Sequence, residues 1–140
     1  MDEKGAMAGE IVTRTRRFYI GDDGIFRTIS LPGVEETLAD AIENVRAAVA
    51  LSGGRRYPVL ADSRLVKSGG DRAVRAYYAG PELTATIRAV AVLIVSPVQR
   101  VIANFFLGLH KPPYPSRVFT SETEALAWLQ RFVQPDDKST

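Results

Sequence analysis

The chain has 140 residues, 46% apolar and 24% charged, with 18 Lys and Arg against 16 Asp and Glu for a formal charge of +2. That length suits one domain that buries roughly two-thirds of the surface its unfolded form exposes, and so even a charge balance does not point to nucleic acid. With no cysteine and one histidine, the composition excludes disulfides, thiolate metal sites and cysteine nucleophiles, and argues against His-based zinc sites and Ser-His-Asp triads.

The first residues, MDEKGAMAGE, mix charges without an apolar stretch. No signal peptide is expected, residues 1–9 read as a flexible lead-in, and a cytoplasmic location is the default. Glu10 to Ile20 reads as one strand. Val12, Phe18 and Ile20 share a parity that Arg14 and Arg16 interrupt, as on a partly wet edge strand. Gly21-Asp22-Asp23-Gly24 turns the chain into a second strand, Ile25 to Leu31, forming a β-hairpin. After Pro32-Gly33 a helix is expected, with Val34, Leu38, Ala41, Ile42, Val45 and Val49 as its apolar stripe. Glu35 and Glu36 would sit in its first turn, where the helix dipole favours carboxylates, and Gly53-Gly54 would end it.

Arg56 to Ala61 reads as a central strand leaving through Asp62. Asp71 or Ser68 is placed to cap a helix over 72–79 with Ala73, Val74 and Tyr77 inward, and Gly80-Pro81 breaks it before a helical turn or two over Glu82–Arg88. Ala89–Val95 (AVAVLIV) reads as a buried strand, too short for a membrane span of about twenty residues. Ser96-Pro97 opens a helix striped by Val98, Val101, Ile102, Phe105 and Leu109. An extended bridge, His110–Pro115, leads to a short strand at Arg117–Phe119. Ser121-Glu122-Thr123-Glu124 is a capping box opening a helix with Ala125, Trp128, Leu129 and Phe132 inward. Gln134 onward reads as a polar tail. Strands that alternate with helices after a hairpin argue for an α/β domain with a mostly parallel sheet.

This order, with Tyr57–Asp62 (YPVLAD), Ala91–Gln99 (AVLIVSPVQ), Val101–Pro113 (VIANFFLGLHKPP) and Pro115–Leu129 (PSRVFTSETEALAWL), resembles the STAS superfamily, the SpoIIAA-like proteins. The nearer likeness is to small uncharacterised bacterial members. It spans about residues 10–132, and its most distinctive part is the extended Arg-x-Phe followed by a capped helix ending in Ala-Trp-Leu. The resemblance implies a SpoIIAA-like (STAS) α/β fold over residues 10–133, with a mixed five-stranded sheet, an N-terminal β-hairpin and about four helices packed on it. Residues 134–140 would form a flexible tail. It also implies non-enzymatic work in signalling, as a protein-interaction or regulatory module without cofactor or metal. Anti-sigma factor antagonists carry a phosphorylatable serine in an Asp-Ser-Ser-Gly motif after the central strand. The matching loop here, Val66-Lys67-Ser68-Gly69-Gly70-Asp71, lacks that motif, and Ser68 is the nearest serine by position.

The residues themselves suggest two surfaces. Asp62 and Ser63 leave a strand at the end where open α/β sheets place ligands, and Ser68, Asp71 and Arg72 surround a glycine-rich helix start that could hold an anion. The plainer alternative is a solvated strand exit and a structural turn. Phe105, Phe106 and Leu107 exceed what one helix buries against one sheet, so they read either as helix-on-helix packing or as a homodimer interface. An apolar cavity near Phe105 and Phe106, serving a small-ligand or lipid carrier, is the alternative function. No nucleic-acid partner and no membrane insertion are expected. His110 reads as an exposed residue at a helix end.

Overall fold

The computed structural model describes residues 9–66, 71–109 and 111–137, apart from the side chains of Ile102, Phe105, Phe106, Leu107 and Leu109. Glu10–Val12 (β1) and Arg16–Ile20 (β2) pair antiparallel, with Val12 opposite Arg17. The stretch expected as one strand is therefore a hairpin, which raises the expected five strands to six among the described residues. Its turn has neither glycine nor proline. The Thr13 N–H donates to the Arg16 carbonyl at 2.8 Å, and the Thr13 hydroxyl accepts the Arg16 N–H at 3.2 Å, so a threonine side chain closes it. Across the expected Gly21–Gly24 turn, β2 pairs antiparallel with Phe26–Ser30 (β3).

β3, Tyr57–Asp62 (β4), Ile87–Leu93 (β5) and Ser116–Phe119 (β6) run parallel, and the sheet order β1-β2-β3-β4-β5-β6 repeats the chain order. Helix α1, Leu38–Ser52, starts later than Val34. The Thr37 side chain accepts the Asp40 N–H and the Asp40 carboxylate accepts the Thr37 N–H, so Asp40 is the first-turn acid and Glu35 and Glu36 precede the helix. Its buried face is Ala41, Asn44, Val45, Ala48 and Ser52, while Leu38 and Val49 are exposed. Gly53 ends it in the left-handed conformation, as expected.

Asp71 caps α2, Arg72–Tyr78, by accepting the Val74 N–H at 3.0 Å. Val74 is buried and Ala73 exposed. The next helix, α3, is one turn at Pro81–Thr84, and β5 begins at Ile87 rather than Ala89, leaving Val95 outside the sheet. Then follow α4, Pro97–Leu109, and α5, Glu122–Gln130, where Ser121 accepts the Glu124 N–H. No helix among the described residues is long and apolar enough to cross a membrane.

Helix α1 packs on β1 and β2 and against α2 and α3 on one face of the sheet, and α5 packs on β4, β5 and β6 from the other. On the α5 face, Leu60, Ala89, Ala91, Leu93 and Phe119 pack against Ala125 and Leu129. On the α1 face, Phe18, Phe26, Tyr57, Val59 and Ile87 pack against Ala48. Gln134–Asp137, within the stretch expected to be a polar tail, carry a 3-10 turn at Pro135–Asp137. The Asp137 carboxylate is fully buried, pairing with Arg55 at 3.0 Å and Arg88 at 2.5 Å and accepting the Gln134 N–H at 2.8 Å.

Candidate ligand-binding cleft

Cross-strand register arranges the α1 face of the sheet in rows. Phe18, Thr28, Ala61 and Val92 stand opposite one another in one row, and Phe26, Val59 and Val90 in the next. Thr28 and Ala61 are small, and α1 contributes only Ala48 and Asn44 over them. The side chains do not fill the space between helix and sheet. A cleft of about 270 Å³ remains, bounded by Tyr78 of α2, Leu83 of α3 and Tyr114.

One end of the cleft is polar. The Arg16 Nε donates to Glu36 Oε2 at 2.7 Å, its Nη2 to Oε1 at 3.0 Å, and its Nη1 to Thr28 Oγ1 at 3.2 Å. The guanidinium lies 4.7 Å from the centre of the Tyr78 ring. Glu36 also accepts the Tyr78 hydroxyl at 2.9 Å and the Thr15 hydroxyl at 2.7 Å. The Asn44 amide nitrogen reaches Thr15, Glu36 and Tyr78, each at 2.9 Å. Burial pushes the Glu36 carboxyl up, but donation from Arg16, Thr15 and Tyr78 outweighs it and leaves Glu36 below the ordinary glutamate value. Burial, reinforced by the neighbouring Glu36 charge, pushes the Tyr78 phenol up to about 12. At neutral pH the wall therefore presents one guanidinium and a neutral phenol, both bonded to the Glu36 carboxylate, which does not itself line the cleft.

The residues expected at the carboxyl end of β4 do not converge. Strand alternation sends Asp62 to the α5 face, where it holds Arg64 at 2.7 Å and Arg64 reaches Glu122 at 3.4 Å. Ser63 turns to the other face and lines the cleft. Asp71 is occupied as a helix cap, and Arg72 is exposed beside it. Ser68, His110 and the side chains of Phe105, Phe106 and Leu107 lie outside the described residues. Arg14, Arg16 and Arg17, read from sequence as a small basic cluster, each have an acidic partner, in Asp40, Glu36 and Glu10.

The sequence reading missed Arg16, Glu36, Asn44 and Tyr78 as a group. One signal was present: Asn44 lies between Ala41 and Ala48 on the buried side of α1. A polar residue on an apolar stripe implies buried polar partners elsewhere. Among the described residues, no group of three or more histidine, aspartate or glutamate side chains is placed to hold a metal ion.

Known proteins place this architecture. A solved uncharacterised protein of the DUF3478 family from Shewanella loihica PV-4, with a SpoIIAA-like fold, is 16% identical over 86% of this chain and 90% of its own, with a TM-score of 0.54. The fold is SpoIIAA-like, as the sequence resemblance implied. A solved protein of unknown function from Arthrobacter sp. FB24 is 36% identical over 86% of this chain and 96% of its own, with a TM-score of 0.30. No curated protein matches the chain. The model of a domain of unknown function, DUF7793, matches residues 18–133, and the chain belongs to that family.

Proposed function

We propose that this domain is a non-enzymatic binding module whose working element is the cleft between α1 and the sheet. The observation that carries the reading is the half-open space of about 270 Å³ with an apolar floor and polar groups gathered at one end. Small-molecule sites have this make-up, at volumes from about 300 Å³ upward. The polar groups support binding over catalysis. Every acidic or hydroxyl group around Arg16 is engaged by a neighbour, and Glu36 accepts from four side chains, which leaves it a poor proton acceptor.

Titration with small uncharged aromatic probes, followed by methyl NMR, tests this. Signals of Ala48, Ala61, Val59, Val90 and Val92 are expected to shift, while Leu93 and Leu129 on the other face stay in place. No shift at the cleft methyls at millimolar probe overturns the reading.

A second reading, a regulatory protein-interaction module that pairs with its own copy, has separate support. Leu65, Val95, Val98 and Val101 are 52–69% exposed, and all follow the carboxyl ends of β4 and β5. Aliphatics grouped at one end of a domain favour association. Sedimentation equilibrium is expected to show a dimer for the wild type and a monomer for V98E/V101E. A wild type that stays monomeric at high micromolar concentration removes this form of the reading.

A further inference from the structure

We propose that the cleft selects a small, uncharged, mainly apolar molecule that directs one hydrogen-bond acceptor of the carbonyl class (a ketone, ester or lactone) at Arg16 and Thr28. This rests on the cleft being the binding element. Size comes first. A cavity of about 150 Å³ holds a benzene, so about 270 Å³ holds a molecule of about ten non-hydrogen atoms.

Charge decides the class. The Arg16 guanidinium at the cleft wall is already neutralised by Glu36 through two hydrogen bonds at 2.7 and 3.0 Å. A ligand carboxylate approaching Arg16 would meet a second carboxylate close behind it, without a free cation to compensate its lost water. A ligand ammonium would face the guanidinium, and the Glu36 oxygens have no accepting capacity left for it. Oε2 accepts from Thr15, Arg16 and Asn44, and Oε1 from Arg16 and Tyr78.

What remains unused is mostly donor capacity. A guanidinium has five N–H groups, and those of Arg16 serve three hydrogen bonds. The Thr28 oxygen accepts from Arg16, and among the described residues its own hydrogen has no acceptor. Tyr114 also lines the cleft, and burial raises the pKa of its phenol, which therefore stays neutral. An acceptor oxygen on an otherwise apolar body complements this surface, because it takes these hydrogens without adding charge.

The test compares 4-phenyl-2-butanone, 3-phenylpropanoate, 3-phenylpropylamine and butylbenzene on the full chain by calorimetry and methyl NMR. The ketone is expected to bind at least tenfold tighter than the acid or the amine. Thr28→Val should weaken the ketone three- to tenfold and leave butylbenzene unchanged, whereas Thr28→Ser should keep ketone affinity. Ala61→Leu, which fills the row beneath α1, should abolish both while retaining a cooperative melt. An acid or amine binding as tightly as the ketone, or a Thr28→Val variant indifferent to the carbonyl, overturns the inference and leaves the cleft reading standing. If no probe binds, or all bind Ala61→Leu as well as wild type, the cleft reading falls and the inference with it.

Discussion

Glu36→Ala is expected to lower the stability of the domain by about 3–5 kcal/mol, because it strands a mostly buried guanidinium. The Arg16 side chain is 20% exposed and that of Glu36 15%, so solvent replaces little of the lost partner. The same change takes an acceptor from Thr15, Asn44 and Tyr78. A double variant, R16M/E36M, should lose less than Glu36→Ala alone, since removing both charges leaves neither unpaired. Urea denaturation of the three proteins measures this. A Glu36→Ala unfolding free energy within about 1 kcal/mol of wild type would mean the pair is not held as described.

The acid limb of the stability curve carries the same signature. Glu36 is held below its ordinary value when folded, so its contribution is complete above the unfolded glutamate pKa of about 4.3 and disappears as pH falls through the lower folded value. Stability should therefore decline on acidification below about pH 4.5, less steeply in Glu36→Ala than in wild type.

Asp137→Ala is expected to cost about 3 kcal/mol, or roughly 10 °C in melting temperature. Its carboxylate has no exposed surface and holds Arg55 and Arg88 together, while Arg88 also donates to the Phe132 and Arg56 carbonyls. The turn of the second hairpin is tied to the same place. Gly24 has φ of 81°, and a side chain there would meet Asp137 and Val133 at 3.0 Å, so the two segments fit only while Gly24 stays bare. Trp128, edge-to-face with Phe132 at 4.9 Å between ring centres, is the chain's one tryptophan and reports the transition by fluorescence. An unchanged melting temperature would show that the ion pairs contribute nothing net.

The parts of this fold legible in the sequence were those whose signal is local. Ser121, Asp71 and Gly53 each act within four residues, and the structure finds all three at helix ends. The strands expected at Arg56–Ala61 and Ala89–Val95 were legible as short apolar runs for the same reason. Thr13 closing a hairpin was not, because threonine in such a stretch reads equally well as strand. The start of α1 slipped because Glu35 and Glu36 suit a first turn electrostatically, whereas Glu36 is drawn to Arg16, twenty residues earlier in the chain. The cleft was illegible in principle. It arises from small side chains brought opposite one another by strand register, and Thr28, Ala61 and Ala48 are unremarked residues until β3, β4 and α1 meet.

The identity of sheet order and chain order has a consequence for how the molecule is made. Each strand emerging from synthesis finds the growing edge formed by its predecessor, so the sheet can assemble by successive addition without threading or waiting for a distant partner. The segment around Asp137 reaches back across most of the chain, pairing with Arg55 and lying against the glycine turn at 24. A chain of this topology can lay down its sheet strand by strand, with the segment after α5, which packs against the turn of the second hairpin, added last.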